Sequence, residues 1–222
     1  KVTKYSSLWE SSSYAEVSPK NFAAKFAALL SLVLLVSVNK AQAEPEVYLY
    51  DKMHTDIIAS WNHCGVSELT AKFPKFKGTF LFDKKKVHLS QVEVTVDVRS
   101  VTTSFQALDG NIASENFFDP NNYPYIHFVS TSVKRTGAKT AILTGDLTIH
   151  GVTKSTDMDV ELVHQGEHAL KWFHAAYKGD WLGFRAKATL LRSDFGLTRW
   201  APFVSDRISL SISTALYKKR KK

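Results

Sequence analysis

The sequence predicts an all-β domain of about eight long antiparallel strands with one short helical insertion. Three observations carry that expectation. Apolar and polar residues alternate with a period of two in segment after segment. No strand–helix–strand spacing appears, which argues against a parallel sheet. Residues 143–163, LTGDLTIHGVTKSTDMDVELV, read as two strands joined by a tight turn. In the first arm Leu143, Leu147 and Ile149 alternate with Thr144, Asp146 and Thr148. In the second, Met158, Val160 and Leu162 alternate with Asp157, Asp159 and Glu161. Each arm is wet on one face and oily on the other, as in an antiparallel sheet closed over an apolar interior. The turn is expected over residues 150–154, with Gly151 supplying a backbone conformation that other residues resist.

The remaining elements follow in chain order. Ile57, Ala59, Trp61 and His63 share one strand face, and Phe76, Gly78, Phe80 and Phe82 share another. Val92, Val94, Val96 and Val98 alternate with Gln91, Glu93, Thr95 and Asp97. Residues 102–113 are the one stretch with helical character. Ile126, Phe128, Ser130 and Ser132 begin the next strand, and the hairpin of residues 143–163 follows. Residues 166–182 are less regular. Ala186, Ala188 and Leu190 form a further strand, and Ile208, Leu210, Ile212, Thr214 and Leu216 the last. Many antiparallel strands from one undivided chain favour a barrel or a sandwich.

Composition bounds the function. The formal net charge of +8 is concentrated at the two ends of the chain. Without residues 1–43 and the tail at 218–222, 19 basic residues face 19 acidic ones, which argues against a nucleic-acid-binding face. The basic tail reads as a solvated end, with contact to anionic lipid headgroups as the alternative. One cysteine, Cys64, allows no intrachain disulfide. Residues 26–38 are thirteen positions without a charge, preceded by Lys20 and Lys25 and followed by Ala41-Gln42-Ala43. A basic start, a short apolar core and an A-x-A site make a Sec-type signal peptide cleaved after Ala43. The apolar run is shorter than the roughly 20 residues a spanning helix needs. The first nineteen residues are Ser-rich and do not begin with Met, and are expected to be an upstream extension or a misplaced start. The expected organisation is therefore an extension and signal peptide over 1–43, a barrel over 44–217 and a basic tail over 218–222.

Candidate chemistry is sparse. His164 and His168 are four apart with His174 nearby, but i, i+4 spacing unites ligands only on a helix, so no metal site is expected. His63 and Cys64 are expected to be strand neighbours pointing to opposite faces, with the thiol packed and the imidazole inward or at a mouth. No nucleophile elbow, zincin, Walker or dinucleotide motif is present. Asp146, Asp157, Asp159 and Glu161 read as a solvated face. Aromatic residues spread over several strands are the stronger signal, because an eight-stranded barrel can be filled by side chains or hold one slender ligand.

Several segments together resemble the YceI-like family of periplasmic polyisoprenoid-binding proteins. They are His54-Thr55, Gly65-Val66-Ser67, Gly78-Thr79-Phe80 leading to Phe82-Asp83, VRSVTT at 98–103 and SENFFDPNNYPYIHFVS at 114–130. GDLTIHGVTK at 145–154 and RSDFGL at 192–197 complete the set, so the likeness covers about residues 46–217. Asn111 departs from the pattern, since many members carry His there, which puts in doubt any charge-dependent role of that position. The resemblance implies an extended eight-stranded antiparallel lipocalin-like barrel around a long apolar tunnel. It also implies that Trp61, Phe80, Phe82, Phe105, Phe117, Phe118, Phe128, Leu147, Ile149, Met158, Val160 and Phe184 contact the ligand. No cofactor is expected beyond a bound isoprenoid or similar lipid. The leading expectation is a non-enzymatic periplasmic carrier or store of an isoprenoid chain, such as a polyisoprenoid, a quinone or its precursor. The alternatives are a carrier of fatty acids or other amphiphiles, an accessory factor or enzyme using His63, Asp119 or His127 at a tunnel mouth, and a structural barrel with a filled core.

Overall fold

The structure, a computed structural model, describes residues 45–219. The expected extension and signal peptide at 1–43 lie outside the described residues, as do residues 220–222 of the basic tail. The first half of the chain forms β1 (Glu46–Tyr50), β2 (Asp56–His63), β3 (Ser67–Lys72), β4 (Phe76–Phe82), β5 (Gln91–Asp97) and the helix α1 (Gln106–Ile112). The second half forms β6 (Tyr125–Arg135), β7 (Thr140–Ile149), β8 (Val152–Glu167), β9 (Asp180–Leu191) and β10 (Arg207–Lys218).

These segments make eight strand lines. β1 and β2 are two halves of one strand, broken by a 3-10 turn at Lys52–His54 whose Met53 N–H is capped by the Asp51 carboxylate. β3 and β4 are likewise two halves, parted at residues 73–75, where Pro74 has no N–H to give to a ladder. From β4 the sheet runs through β5, β6, β7, β8 and β9 to β10, every neighbour antiparallel. β10 then pairs with β1 through Tyr48↔Lys218 and with β2 through Leu210↔Ala59. Because β1 also pairs with β4, its pairing with β10 closes the wall, and the chain forms the eight-stranded antiparallel barrel. Closure leaves no free edge along most of the circumference. The last strand also takes in Lys218, whose ammonium pairs with Glu46 at 2.6 Å, and the Lys219 N–H bonds the Val47 carbonyl. The barrel thus extends past the expected boundary at 217.

The β7–β8 hairpin shows how its sequence folds it. Ile149↔Val152 is the last pair of the ladder, so the loop is only His150 and Gly151. That is shorter than the expected five-residue turn. Both residues have positive φ, 50° and 75°, the geometry of a type I′ hairpin turn. Gly151 fits because a Cβ there would also come within 2.6 Å of the Tyr123 ring. Gly145, in the same motif, has a different reason: a Cβ would collide with the Phe128 ring and the Val129 carbonyl, so Phe128 lies flat over it. Leu143, Leu147, Ile149 and Met158 are buried, while Asp146, Asp157, Asp159 and Glu161 are exposed on the outer face.

Two ladders depart from simple alternation, and in one β8 shifts register against β9 between Leu162 and His164. β6 shifts register between Ser130 and Ser132, a bulge that turns Val133 inward in place of the expected Ser132. The Ser130 hydroxyl accepts the Val92 N–H at 2.8 Å, standing in for a ladder carbonyl. The stretch 168–179 contains two short 3-10 turns capped by His168 and His174, whose Nδ1 atoms accept the N–H groups of Leu170 and Ala176.

Replacing Gly151 by Val should lower the thermal midpoint by about 2–8 °C. It forces a β-branched residue to positive φ at a cost of roughly 1–2 kcal/mol and meets the Tyr123 ring. Circular dichroism melting is the measurement.

Candidate functional site

The inward faces of the strands do not meet. They surround a cavity of about 280 Å³, close to the lower end of the range of small-molecule sites, roughly 300–1,000 Å³. Along β9 and the residue that follows it, the lining runs from Phe184 to Arg192. Eight residues at about 3.3 Å each, tilted by 35–45°, correspond to roughly 20 Å along the barrel axis. The shape is a tunnel.

One end lies among the β4–β5 and β6–β7 connections, where Val87, Ser90 and Val133 join the lining. Phe80, Phe82 and Phe184 pack ring against ring there, with centroids 5.3–6.2 Å apart. At mid-length Phe76, Val94, Leu143 and Met158 form the wall. The other end is covered by α1 and the segment after it. Ile112 is buried, and the Phe118 N–H bonds its carbonyl, which helps turn Phe117 and Phe118 into the tunnel. Phe195 and Leu197 close that end from the β9–β10 connection.

The polar side chains along the wall are engaged with the wall itself. The Thr55 hydroxyl donates to the Asp51 carbonyl at 2.8 Å and lies 3.0 Å from that of Thr214. The Ser90 hydroxyl accepts the Asp83 N–H at 3.1 Å. Arg192 is 4% exposed and, among the described residues, has no carboxylate within ion-pair distance. Its guanidinium donates to the carbonyls of Ser205, Leu197, Arg199 and Val204, so the β9–β10 connection is wrapped around one cation. Burial pulls the Arg192 pKa down, opposed by the nearby charge of Asp206. Asp206 in turn accepts the Ser193 N–H and hydroxyl at 2.8 and 2.7 Å, and these bonds hold its carboxyl below the usual range. Tyr50 stands over Phe76 and Phe80, and burial alone pushes its phenol above the ordinary value. What remains facing the tunnel is hydrocarbon and ring.

Eleven of the twelve residues expected to contact a ligand line this tunnel: Trp61, Phe80, Phe82, Phe117, Phe118, Phe128, Leu147, Ile149, Met158, Val160 and Phe184. Phe105 does not. It is 67% exposed, at the residue before α1, because the helix turns Ile112 inward instead. Sequence reasoning missed Tyr50, Phe73, Ile112 and Arg192 as lining residues. Tyr50 shares a strand face with Tyr48, and the i, i+4 helical spacing from Leu108 to Ile112 would have found the latter.

The expected separation of His63 and Cys64 is corrected. Cys64 is not in a strand but in the β2–β3 turn at φ 56°, exposed, with its Sγ 3.9 Å from His63 Nε2. His63 is exposed as well and lines no part of the tunnel. His127 points outward from β6, with Nδ1 3.1 Å from the Thr95 hydroxyl, and Asp119 holds the Asn122 amide. Neither lines the tunnel. Asn111, the departure from the family pattern, is exposed on α1. Among the described residues no group of three His, Cys, Asp or Glu side chains is placed to hold a metal ion.

The YceI-like domain model matches residues 48–216, nearly the whole barrel. The chain belongs to the YceI-like domain family. A UPF0312 protein of Pseudomonas putida strain W619 is 37% identical over 174 residues, covering 78% of this chain and 86% of its own. One from Pseudomonas savastanoi pv. phaseolicola is 36% identical over 187 residues, covering 84% and 93%. Among solved structures, Burkholderia cenocepacia BcnA superposes with a TM-score of 0.66 at 20% identity, over 75% of this chain and 98% of its own. A polyisoprenoid binding domain from Saccharophagus degradans, implicated in plant cell wall breakdown, gives 0.53 at 11% identity over 78% and 98%. These two likenesses are likenesses of fold.

Arg192→Met should strip four carbonyls of their donor and cost roughly 3 kcal/mol or more, seen as a thermal midpoint lower by about 6–12 °C. Asp206 gives the accompanying pH dependence. Its native pKa is depressed, so its stabilisation is complete above the ordinary carboxylate value near 3.8 and fades as pH falls through the lower native value. Asp206→Asn should therefore lower the midpoint at pH 7 and flatten its decline below about pH 4, as measured by melting over a pH series.

Proposed function

We propose that the protein is a non-enzymatic carrier or store that holds an isoprenoid chain in the barrel tunnel, after export to the periplasm. The observation that carries this reading is the lining itself, a tunnel whose polar side chains are bound to the wall and whose free surface is apolar. Such a space offers water no partners and suits hydrocarbon. Burying one CH₂ contributes about 0.8 kcal/mol, so a five-carbon isoprene unit contributes roughly 3–4 kcal/mol gross. Association and chain ordering offset part of this, and three or four buried units still reach micromolar affinity or better. The Saccharophagus degradans neighbour, described as polyisoprenoid-binding, supports the same ligand class. A fatty acid would satisfy the same lining, and the tunnel selects for chain length and oiliness. The export reading rests on the apolar run at 26–38 and the A-x-A site before Glu44. No catalytic group is part of this reading.

Transient contact with a membrane surface belongs to the same proposal. The basic tail begins where β10 ends, at Lys218 and Lys219. The β8–β9 connection beside it exposes Trp172 and Phe173 at 82% and 84%, with Lys171 next in sequence. Aromatic rings with adjacent cations are the side chains that settle at a lipid interface.

Two measurements test this. Lipid extracted from protein purified out of the periplasm should give an isoprenoid by mass spectrometry. Leu147→Asp should abolish lipid retention or folding, and Leu147→Ala should keep the fold while weakening retention. Full retention by both would overturn the tunnel assignment. In flotation with vesicles containing anionic lipid, Trp172→Ala with Phe173→Ala should reduce the bound fraction several-fold.

A further inference from the structure

The tunnel lining does not end at hydrocarbon on the side of the β4–β5 and β6–β7 connections. Val87 and Val133 have two faces: they line the tunnel, and they also line an outer cleft with Lys85, His88, Lys134 and Arg135. None of these four has a carboxylate at ion-pair distance among the described residues. Arg135 spends Nε and Nη2 on the carbonyls of Gly137 and Ala138, which fixes its position without neutralising it. The acid of this turn, Asp83, is 4% exposed, and its Oδ1 accepts the N–H groups of Lys85 and Lys86. Lys84 is paired with Asp180 and so stands apart from the cleft. Three cations and a histidine therefore line an outer cleft that shares Val87 and Val133 with the tunnel.

The opposite end is built differently. Its one tunnel-lining cation, Arg192, has four N–H groups committed to backbone carbonyls, and Asp194 and Asp206 lie on the same connection. An anionic head drawn into the apolar middle of the tunnel would lose its hydration with nothing to replace it. A chain with a charged head has one favourable orientation, tail inward and head among the cleft cations, where charge-assisted hydrogen bonds are available. We propose that this cleft is the headgroup site and that the ligand of the tunnel is an anionic-headed chain, bearing a terminal phosphate or carboxylate in preference to a neutral alcohol or quinone head. This rests on the tunnel reading and adds the chemical class of the head.

The experiment is a titration of the delipidated full chain with geranylgeranyl monophosphate, geranylgeraniol and a fatty acid of similar length, by calorimetry. At low salt the phosphate should bind at least about tenfold tighter than the alcohol, and the preference should shrink as salt rises. The fatty acid arm separates phosphate from carboxylate: a comparable tightening indicates a general anion site. Inorganic phosphate alone should not displace the bound chain. In Lys85→Glu/Lys134→Glu, with exposed positions that keep the circular dichroism spectrum, the phosphate preference should be lost while alcohol affinity stays within about twofold. Equal affinity for phosphate and alcohol in the unaltered protein would overturn the headgroup site and leave the tunnel reading standing. A preference surviving the double substitution would also overturn it, placing the head elsewhere. Binding of none of the chains would overturn the tunnel reading and this inference with it.

Discussion

Closure of the barrel depends on one strand serving two partners along a single edge. β10 pairs with β1 near its end and with β2 near its start, because the first strand of the chain is bent between them at Asp51–Thr55. A straight first strand would run off the curved wall. The bend keeps both halves in register with β10, so that Ile57, Ala59 and Trp61 from β2 and Tyr50 from β1 all reach the same interior. Most strand positions then alternate inward and outward, and the interior becomes apolar through that alternation together with the β6 bulge that brings Val133 inward.

The ends need different physics. Turning the chain exposes backbone groups that no neighbouring strand satisfies. At one end Arg192 gathers four carbonyls around a buried guanidinium, a bond set that a neutral side chain of the same size could not supply. At the other, Asp83 gathers the N–H groups of the following turn with one carboxylate oxygen, and that bonding holds its pKa low. The two devices are complementary in sign. A cation collects carbonyls where the β9–β10 connection folds inward, and an anion collects amides where the lysine-rich turn folds outward.

Much of the wall was legible in the sequence because alternation is a local signal. Val92, Val94 and Val96 announce their face without reference to any other strand. The arms of the β7–β8 hairpin do the same, and Leu147, Ile149 and Met158 follow from them. What was not legible depends on partners distant in sequence. The bulge in β6 exchanges Val133 for Ser132, and nothing in the local pattern marks it, since the Ser130 hydroxyl that supports it is answered by Val92. Phe105 looked like a tunnel residue by type, and the start of α1 left it in solvent. Arg192 was read only as part of a motif, because its role lies in carbonyls of the connection that follows it. Aromatic type predicted placement well on strands, where the face is set by parity, and failed beside the helix.

A tunnel of this kind ties occupancy to stability. Empty apolar space in a folded interior costs about 24 cal/mol per Å³ in cavity-forming substitutions, so 280 Å³ corresponds to on the order of 7 kcal/mol. That is comparable with the total stability of an ordinary domain, roughly 5–15 kcal/mol. The wall can bear such a void because closure by β10 and the two end fasteners do not depend on contacts across the interior. They are hydrogen bonds around the circumference and at the rims. On the proposed reading, a chain entering the tunnel would restore the missing contacts without rearranging the ladder and would stabilise the loaded form by RT ln(1 + [L]/Kd). Holding hydrocarbon and holding the fold would then be linked, divided between a ladder that sets the shape and an interior that a guest would complete.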